Sequence, residues 1–127
     1  MEEAFFGKPV SSYSRSKAIE EGMLVDVSTT AIEAGFNFPV ALTRRVWDQY
    51  VMVPNGVECQ DQKGRLWDIL YMLNYAIRSR NKAESSLIFT LHVRNDNRKP
   101  KPVRLKSVCG PGDDSKPVIT IMLPDED

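Results

Sequence analysis

The clearest pattern in the chain is an apolar stripe at helical spacing, which predicts a helix from about Arg65 to Ser79. The stripe consists of Leu66, Ile69, Leu70, Leu73, Ala76 and Ile77. A second row at i, i+4 and i+8 contains Trp67, Tyr71 and Tyr75. Because apolar residues then occupy more than half of the circumference, we expect this central helix to be covered on two sides, by a sheet and by N-terminal helices. We therefore interpret the aromatic row as packing.

After the central helix, the period of the hydrophobic positions changes to two, which is typical of β-strands. Leu87, Phe89, Leu91 and Val93 alternate with more polar residues, and a polar loop follows over residues 95–102. Val103, Leu105 and Ser107 alternate on the return, so the segment is predicted to be a β-hairpin. Residues 118–123 are apolar at five of six positions, which indicates a strand covered on both faces that ends at Pro124.

The N-terminal part contains signals for shorter helices. Ser14 and Ser28 are placed as N-caps, while Gly22 and Gly35 fit the left-handed position that follows a helix. Thr43 is predicted to cap a third helix, which the turn residues 54–56 end. Together the elements predict an α+β fold, with an antiparallel sheet of three or more strands packed on one long helix and short N-terminal helices. At 127 residues we expect one domain, helical over 1–82 and sheet over 83–127.

Composition narrows the class of protein. Apolar residues make up 42% of the chain and charged residues 27%, and there is no apolar run long enough for a membrane span. The first six residues are acidic where a secretory signal is basic, so a cytoplasmic location is expected. Cys59 and Cys109 have no CxxC neighbour, and we interpret both as small buried apolar residues.

The net charge is zero, but the charges are segregated along the chain. Residues 1–77 carry seven Lys or Arg against ten Asp or Glu, residues 78–108 carry nine against two, and residues 109–127 carry one against five. A block as basic as the second is a candidate contact surface for nucleic acid. Because the acidic tail is adjacent in sequence, intramolecular pairing is the simpler interpretation.

No arrangement of residues predicts an enzyme. His92 is the single imidazole, and its nearest plausible nucleophile is Cys109. If the hairpin is centred near Arg98, His92 pairs with Arg104 and Cys109 lies about 17 Å away, beyond the reach of a catalytic dyad. We therefore expect no catalytic residue and interpret His92 as an exposed strand position.

Acidic residues offer two further hypotheses. Asp113 and Asp114 could approach residues 125–127 around a hard cation, but the spacing of an EF-hand is absent, so neither a metal nor a cofactor is expected. Pro111 removes a backbone donor from the glycine turn 110–112, which argues against a phosphate loop. An enzyme or ligand site built from carboxylates near the tryptophans is the other hypothesis, and it would use Asp26, Asp48, Asp61 and Asp68.

Several short segments together resemble a family of small, uncharacterised bacterial proteins encoded largely on plasmids and phages. The resemblance covers most of the chain and implies an accessory protein of a mobile element, without assigning a functional residue. The segments that carry it are Ser12–Ser14 with Ala18–Gly22, Leu24–Asp26, Ala34–Phe36, Phe38–Thr43 with Val46–Trp47, Gly64–Asp68 and Gly110–Asp114 with the closing residues to Asp127.

The function that these observations favour is non-enzymatic binding of another macromolecule. The expected partner is a host or phage protein, and inhibition of a host defence protein is the sharper form of this hypothesis. The alternative is a nucleic-acid-binding accessory protein that uses the basic hairpin 94–106. Membrane binding is not expected, and the sequence leaves the oligomeric state open. The candidate binding residues are Arg94, Arg98, Lys99, Lys101, Arg104, Asp113 and Asp114.

Overall fold

A computed structural model describes residues 14–80, 82 and 84–127. The interpretation of the first residues as lacking a secretory signal, and the matching segment at Ser12, lie outside these residues. The helices are α1 (Arg15–Glu20), α2 (Ser28–Glu33), α3 (Arg44–Val46), which continues as a π-helical turn (Trp47–Val51), and α4 (Gln62–Ser79). The strands are β1 (Leu24–Asp26), β2 (Val40–Thr43), β3 (Ser86–Val93), β4 (Lys101–Pro111) and β5 (Pro117–Met122).

The five strands form one mixed sheet in the order β1-β2-β5-β4-β3. The α+β prediction is confirmed, and the three C-terminal strands are antiparallel to one another as expected, with β4 between β3 and β5. The sheet differs from the expectation because it also recruits two short N-terminal strands. One of these, β2, runs parallel to β5, with Val40 opposite Ile119 and Leu42 opposite Ile121.

The C-terminal strand β5 occupies the middle of the sheet, hydrogen-bonded to β2 on one side and to β4 on the other. Ile119 and Ile121 are buried on the face that α4 covers. On the second face, Thr120 is half-buried beneath α1, because the Arg15 guanidinium donates to its Oγ1 at 2.6 Å. The prediction of a strand covered on both faces is therefore confirmed.

Helix α4 packs with the predicted apolar stripe against the sheet. Leu66, Ile69, Leu70 and Leu73 are buried, with Ala76 and Ile77 half-buried beside them. The aromatic row behaves differently, since Tyr71 is 63% exposed and Tyr75 is 61% exposed. Its interpretation as packing is wrong for these two residues, because no other element covers that side of α4 in the described part of the chain.

The short helices end as the sequence indicates. Gly22 and Gly35 have φ values of +82° and +97°, and the amide that follows each donates back five residues, from Met23 to Ala18 and from Phe36 to Ala31. Ser14 caps α1 and Thr43 caps α3 through their side chains. Ser28 instead occupies the first turn of α2, where its amide and hydroxyl donate to Asp26.

The two faces of the sheet are covered unequally. Helix α4 lies across one face, and α1 lies over the second face near β1 and β5. The part of the second face formed by β3 and β4 remains open, since Ile88, Thr90, His92 and Arg104 are all exposed. Within the described residues, no helix is both long enough and apolar enough to span a lipid bilayer.

Candidate binding surface

The basic segment forms the predicted hairpin, with a register two residues from the expected one. His92 pairs with Pro102, and Thr90 pairs with Arg104. Cys109 is therefore seven residues beyond the partner of His92, roughly 24 Å along the strand, which separates the imidazole from the thiol still further. His92 is exposed, as predicted. Cys59 is exposed and Cys109 is half-buried, so the interpretation of both thiols as buried is wrong.

The tip of the hairpin, residues 94–100, is docked on the π-helical turn and on the loop that joins this turn to α4. Asn95 donates from Nδ2 to the carbonyl of Gln49 at 2.9 Å, and Asn97 donates to the carbonyl of Gly56 at the same distance. The amide of Glu58 donates to Asn97 Oδ1, also at 2.9 Å. Both asparagines thus bind backbone groups of a segment about forty residues away, which fixes the tip to the body of the protein.

Arg94 also joins the hairpin tip to the segment before α4, and we call this region of contact the junction. Its side chain does not project into solvent as a free cation. Its guanidinium donates to the carbonyl of Glu58, to the carbonyl of Arg98 at 3.1 Å and to Asn97 Oδ1 at 3.2 Å. Three of its donors are therefore occupied by the protein itself. Arg94, predicted as a binding residue, positions the tip.

Arg65 lies beneath the junction as a buried cation, only 5% exposed. It donates to the carbonyls of Tyr50 at 3.1 Å and Arg94 at 2.8 Å, and to the side chains of Gln60 and Asn95. Burial lowers the pKa of Arg65, and the nearby carboxylate of Asp68 offsets part of this effect. Burial likewise raises the pKa of Asp68, against the influence of Arg65. The guanidinium is thus satisfied mainly by neutral acceptors.

Four other basic residues of the hairpin project into solvent. Their side chains have neither a hydrogen bond nor an ion pair with any part of the chain that the structure describes. These residues, which we call the hairpin cations, are Arg98, Lys99, Lys101 and Arg104. They stand on a loop and strand whose backbone is fixed, so their positions are set by the scaffold. This arrangement suits contact with an acidic surface.

The other two predicted site residues lie at the far end of β4. Asp113 and Asp114 belong to the turn between β4 and β5, roughly 33 Å from the hairpin tip at the usual strand rise. Asp113 accepts the backbone N–H groups of Arg15 and Ser16 at 2.9 Å each, and these bonds, that of Ser16 first, hold its pKa below the usual value. Asp114 accepts the amide of Lys116 within the turn. Neither carboxylate shares a surface with the hairpin cations.

The acidic tail meets the basic hairpin at only one residue among those described. Lys106 donates to the carbonyl of Glu126, while Asp125 pairs with Arg45 at 3.7 Å. The carboxylate of Glu126 accepts the Thr43 hydroxyl and the Leu123 amide, both at 2.8 Å. Lys106 contacts a backbone carbonyl, so within the described residues the acidic tail forms no ion pair with the basic hairpin. The intramolecular charge pairing that the charge pattern favoured is therefore not found there, and the hairpin cations have no acidic partner among these residues.

The carboxylates proposed for a catalytic or ligand site serve separate local roles. Asp26 accepts from Ser28, Asp48 pairs with Arg44 at 3.5 Å, and Asp61 caps α4 by accepting the amide of Gly64 at 2.6 Å. Across residues 14–80, 82 and 84–127, no three His, Cys, Asp or Glu side chains are grouped in a way that could hold a metal ion. Each of these carboxylates thus has a local partner of its own, with Asp68 beside Arg65.

A family model for a family of unknown function, DUF6573, matches residues 1–127 of the chain. The chain belongs to this family. No curated protein and no solved structure matches it. Membership of DUF6573 is consistent with the resemblance to a family without an assigned activity, and it transfers no functional residue to this chain.

The junction under the hairpin tip was not anticipated from the sequence. One signal was present, since Arg65 follows the spacing of the buried stripe, four residues before Ile69, and a charge at such a position requires partners. A second signal was the pair Asn95 and Asn97, because asparagine side chains commonly bind backbone groups in turns. Neither signal identifies the carbonyls that these side chains contact.

Proposed function

We propose that the protein is a non-enzymatic binding module that docks on an acidic surface of a partner protein through the hairpin cations. The observation that carries this proposal is the contrast between Arg94 and its neighbours. The guanidinium of Arg94 forms hydrogen bonds within the protein. The exposed side chains of the hairpin cations have no hydrogen-bond or ion-pair partner among the described residues, and they stand on the hairpin that Arg94 fixes. These cations are Arg98, Lys99, Lys101 and Arg104.

Rigidity of the hairpin tip supports a role in recognition. A flexible basic loop loses conformational entropy when it binds, whereas a loop that is already fixed avoids much of that loss. Asn95, Asn97 and Arg65 fix this tip through five hydrogen bonds, so the hairpin cations are presented on an ordered scaffold. The open face of β3 and β4 adds Ile88, Thr90 and His92 beside Arg104.

The composition of the surface favours a protein partner over single-stranded nucleic acid. Proteins that bind single strands place aromatic side chains among their cations, because the bases stack on them. The hairpin has no tryptophan or tyrosine between residues 86 and 111, and its Phe89 is buried. A basic surface without stacking residues is suited to electrostatic docking on carboxylates, with fast and salt-sensitive association.

The biological setting that we propose is an accessory role on a plasmid or phage, in the cytoplasm of the host cell. In the sharper form of the proposal, the partner is a host defence protein that the module inhibits. This form is supported by the resemblance to mobile-element proteins, together with the segregated charge of the chain. It makes no use of a cofactor or of a catalytic residue.

The test is quantitative capture from a host-cell lysate that has been treated with nuclease. The hairpin variant carries Arg98→Gln, Lys99→Gln, Lys101→Gln and Arg104→Gln. It should fold like the wild type because these exposed side chains make no hydrogen bond or ion pair with the described part of the chain. The control carries Tyr71→Ser and Tyr75→Ser on exposed α4 positions. We expect one or a few proteins captured by the wild type and by the control, with capture by the hairpin variant about tenfold weaker or more, at up to about 1 kcal/mol for each exposed charge.

Three outcomes would contradict the proposal. Equal capture by the wild type and the hairpin variant would show that the cations do not contact the partner. Loss of capture in the aromatic control alone would place the interface on α4. Capture that disappears with nuclease treatment, together with a salt-sensitive mobility shift of nucleic acid, would support the nucleic-acid alternative.

A further inference from the structure

A second surface feature lies on the helix-covered side of the sheet, where α4 ends. A cleft of about 370 Å³ opens between the C-terminal end of α4 and the strands β3, β4 and β5. A volume of this size is typical of small-molecule sites. Its walls are mostly apolar, formed by Phe38, Ile77, Leu87, Cys109 and Ile119.

Ser107 is the buried polar residue among those that line this cleft, and its hydroxyl lacks a hydrogen-bond partner among the described residues. The residue is only 5% exposed, and the structure gives its Oγ no hydrogen bond within the described chain. The register pairs Ser107 with Leu87 and Ile121, which places its side chain on the face that α4 covers. Because buried hydroxyl groups nearly always have a hydrogen-bond partner, an unpartnered one is a strong indication of a missing occupant.

Among the described residues that line the cleft, charged groups occur only where the lining is exposed, at its mouth. Arg80 and Glu84 line it there with opposite signs, and Glu84 lies 3.8 Å from Lys82 in an exposed ion pair. Among the described lining residues, the buried and half-buried ones carry no charge, so an ion bound against them would lose its hydration without gaining a counterion. The chemistry of the cleft therefore favours an uncharged occupant.

We propose that this cleft binds an uncharged, largely apolar small molecule whose single hydroxyl or carbonyl oxygen forms a hydrogen bond with Ser107. The site is separate from the hairpin cations, none of which lines it. Its occupant would replace water on the exposed apolar walls and would satisfy the buried hydroxyl. This inference does not depend on the proposed function, and either one can fail alone.

The experiment uses 1-octanol as the probe, with octanoate and octylammonium as charged molecules of matched length. Iodoacetamide alkylates the two free thiols, and peptide mass spectrometry measures each rate separately. Cys109 lines the cleft, whereas Cys59 is exposed elsewhere and serves as an internal control. We expect saturating 1-octanol to slow alkylation of Cys109 several-fold without changing the rate at Cys59, and both charged probes to protect Cys109 less.

A variant tests the role of the hydroxyl. Ser107→Ala should raise the 1-octanol concentration for half-protection by about two- to tenfold, as the loss of one hydrogen bond implies, while Glu84→Gln at the mouth should leave it unchanged. Absence of protection at Cys109, equal protection of Cys59, equal protection by the charged probes, or an unchanged midpoint in Ser107→Ala would overturn the proposal. The comparison of the three probes uses the wild-type chain and holds even if the variant does not fold.

Discussion

Asp113 anchors the first turn of α1 from 98 residues away, since its Oδ1 accepts the backbone N–H of Arg15 at 2.9 Å. Its Oδ2 accepts the next amide, that of Ser16, also at 2.9 Å. Ser14 caps the following amide, that of Lys17, so the first three amides of the helix all have acceptors. The turn between β4 and β5 therefore fixes α1 on the second face of the sheet.

This anchor predicts a specific dependence of stability on pH. The bonds from Ser16 and Arg15 lower the pKa of Asp113 in the folded protein, so its carboxylate stabilises the fold at any pH above its unfolded pKa of about 4. This stability is lost as the pH falls through the lower, folded pKa. Asp113→Asn should lower the melting temperature by a constant amount from pH 8 to about pH 5, and the difference should shrink below about pH 4. A difference that is the same at pH 3 and pH 7 would exclude this role for the charge.

Arg65 provides the second prediction. Its removal leaves the carbonyls of Tyr50 and Arg94 without their donor in a buried region, and each such group costs about 1–3 kcal/mol. Arg65→Met should therefore reduce the free energy of unfolding by about 3 kcal/mol, measured by urea denaturation. Arg65→Lys should restore only part of this stability, because an ammonium cannot span the separate acceptors that the guanidinium reaches. Full stability in Arg65→Met would show that the junction does not support the hairpin tip.

The central position of β5 gives the third prediction. Deletion of residues 118–127 removes the strand that joins β2 to β4, so the truncated chain should be insoluble. Ile121→Ala tests the same strand with a smaller change and should cost about 2–5 kcal/mol, because its side chain is fully buried. A soluble truncated protein with a cooperative thermal transition would contradict this architecture.

The exposed aromatic row gives the fourth prediction. Replacement of Tyr71 and Tyr75 by Ser should change the free energy of unfolding by about 0.5 kcal/mol or less at each position, since surface substitutions rarely do more. Leu70→Ala, on the buried side of the same helix, should cost about 2–5 kcal/mol. A loss of more than about 2 kcal/mol in the tyrosine variant would mean that another element covers this side of α4.

The periodicity of the hydrophobic positions predicted the long elements well, because the residues on one face of each element are buried together. The stripe from Leu66 to Leu73 and the alternation in β3 each identify an element and its buried face. The strands β1 and β2 are only three and four residues long, too short for a period to be read. Their pairing, including the parallel contact of β2 with β5, depends on a chain crossing that no local pattern encodes.

The candidate binding surface could be predicted only in part from the sequence, because its geometry depends on contacts between residues that are far apart in the chain. The charge count located the hairpin cations, but it could not separate Arg98 from Arg94, which uses its donors on carbonyls from distant residues. Asp113 and Asp114 appeared similar in sequence, and only the register of β4 and β5 reveals how far they lie from the tip. Helical spacing shows which residues share a side of a helix but not whether another element covers that side. It therefore could not predict that Tyr71 and Tyr75 are exposed.

Docking through the hairpin cations is best tested by the association rate constant between the captured partner and the immobilised protein, determined at low and high salt. At low ionic strength, we expect the hairpin variant to associate at least about tenfold more slowly than the wild type. The two rates should converge as salt screens the charges. Equal rates with the same salt dependence in both proteins would contradict a docking surface formed by Arg98, Lys99, Lys101 and Arg104.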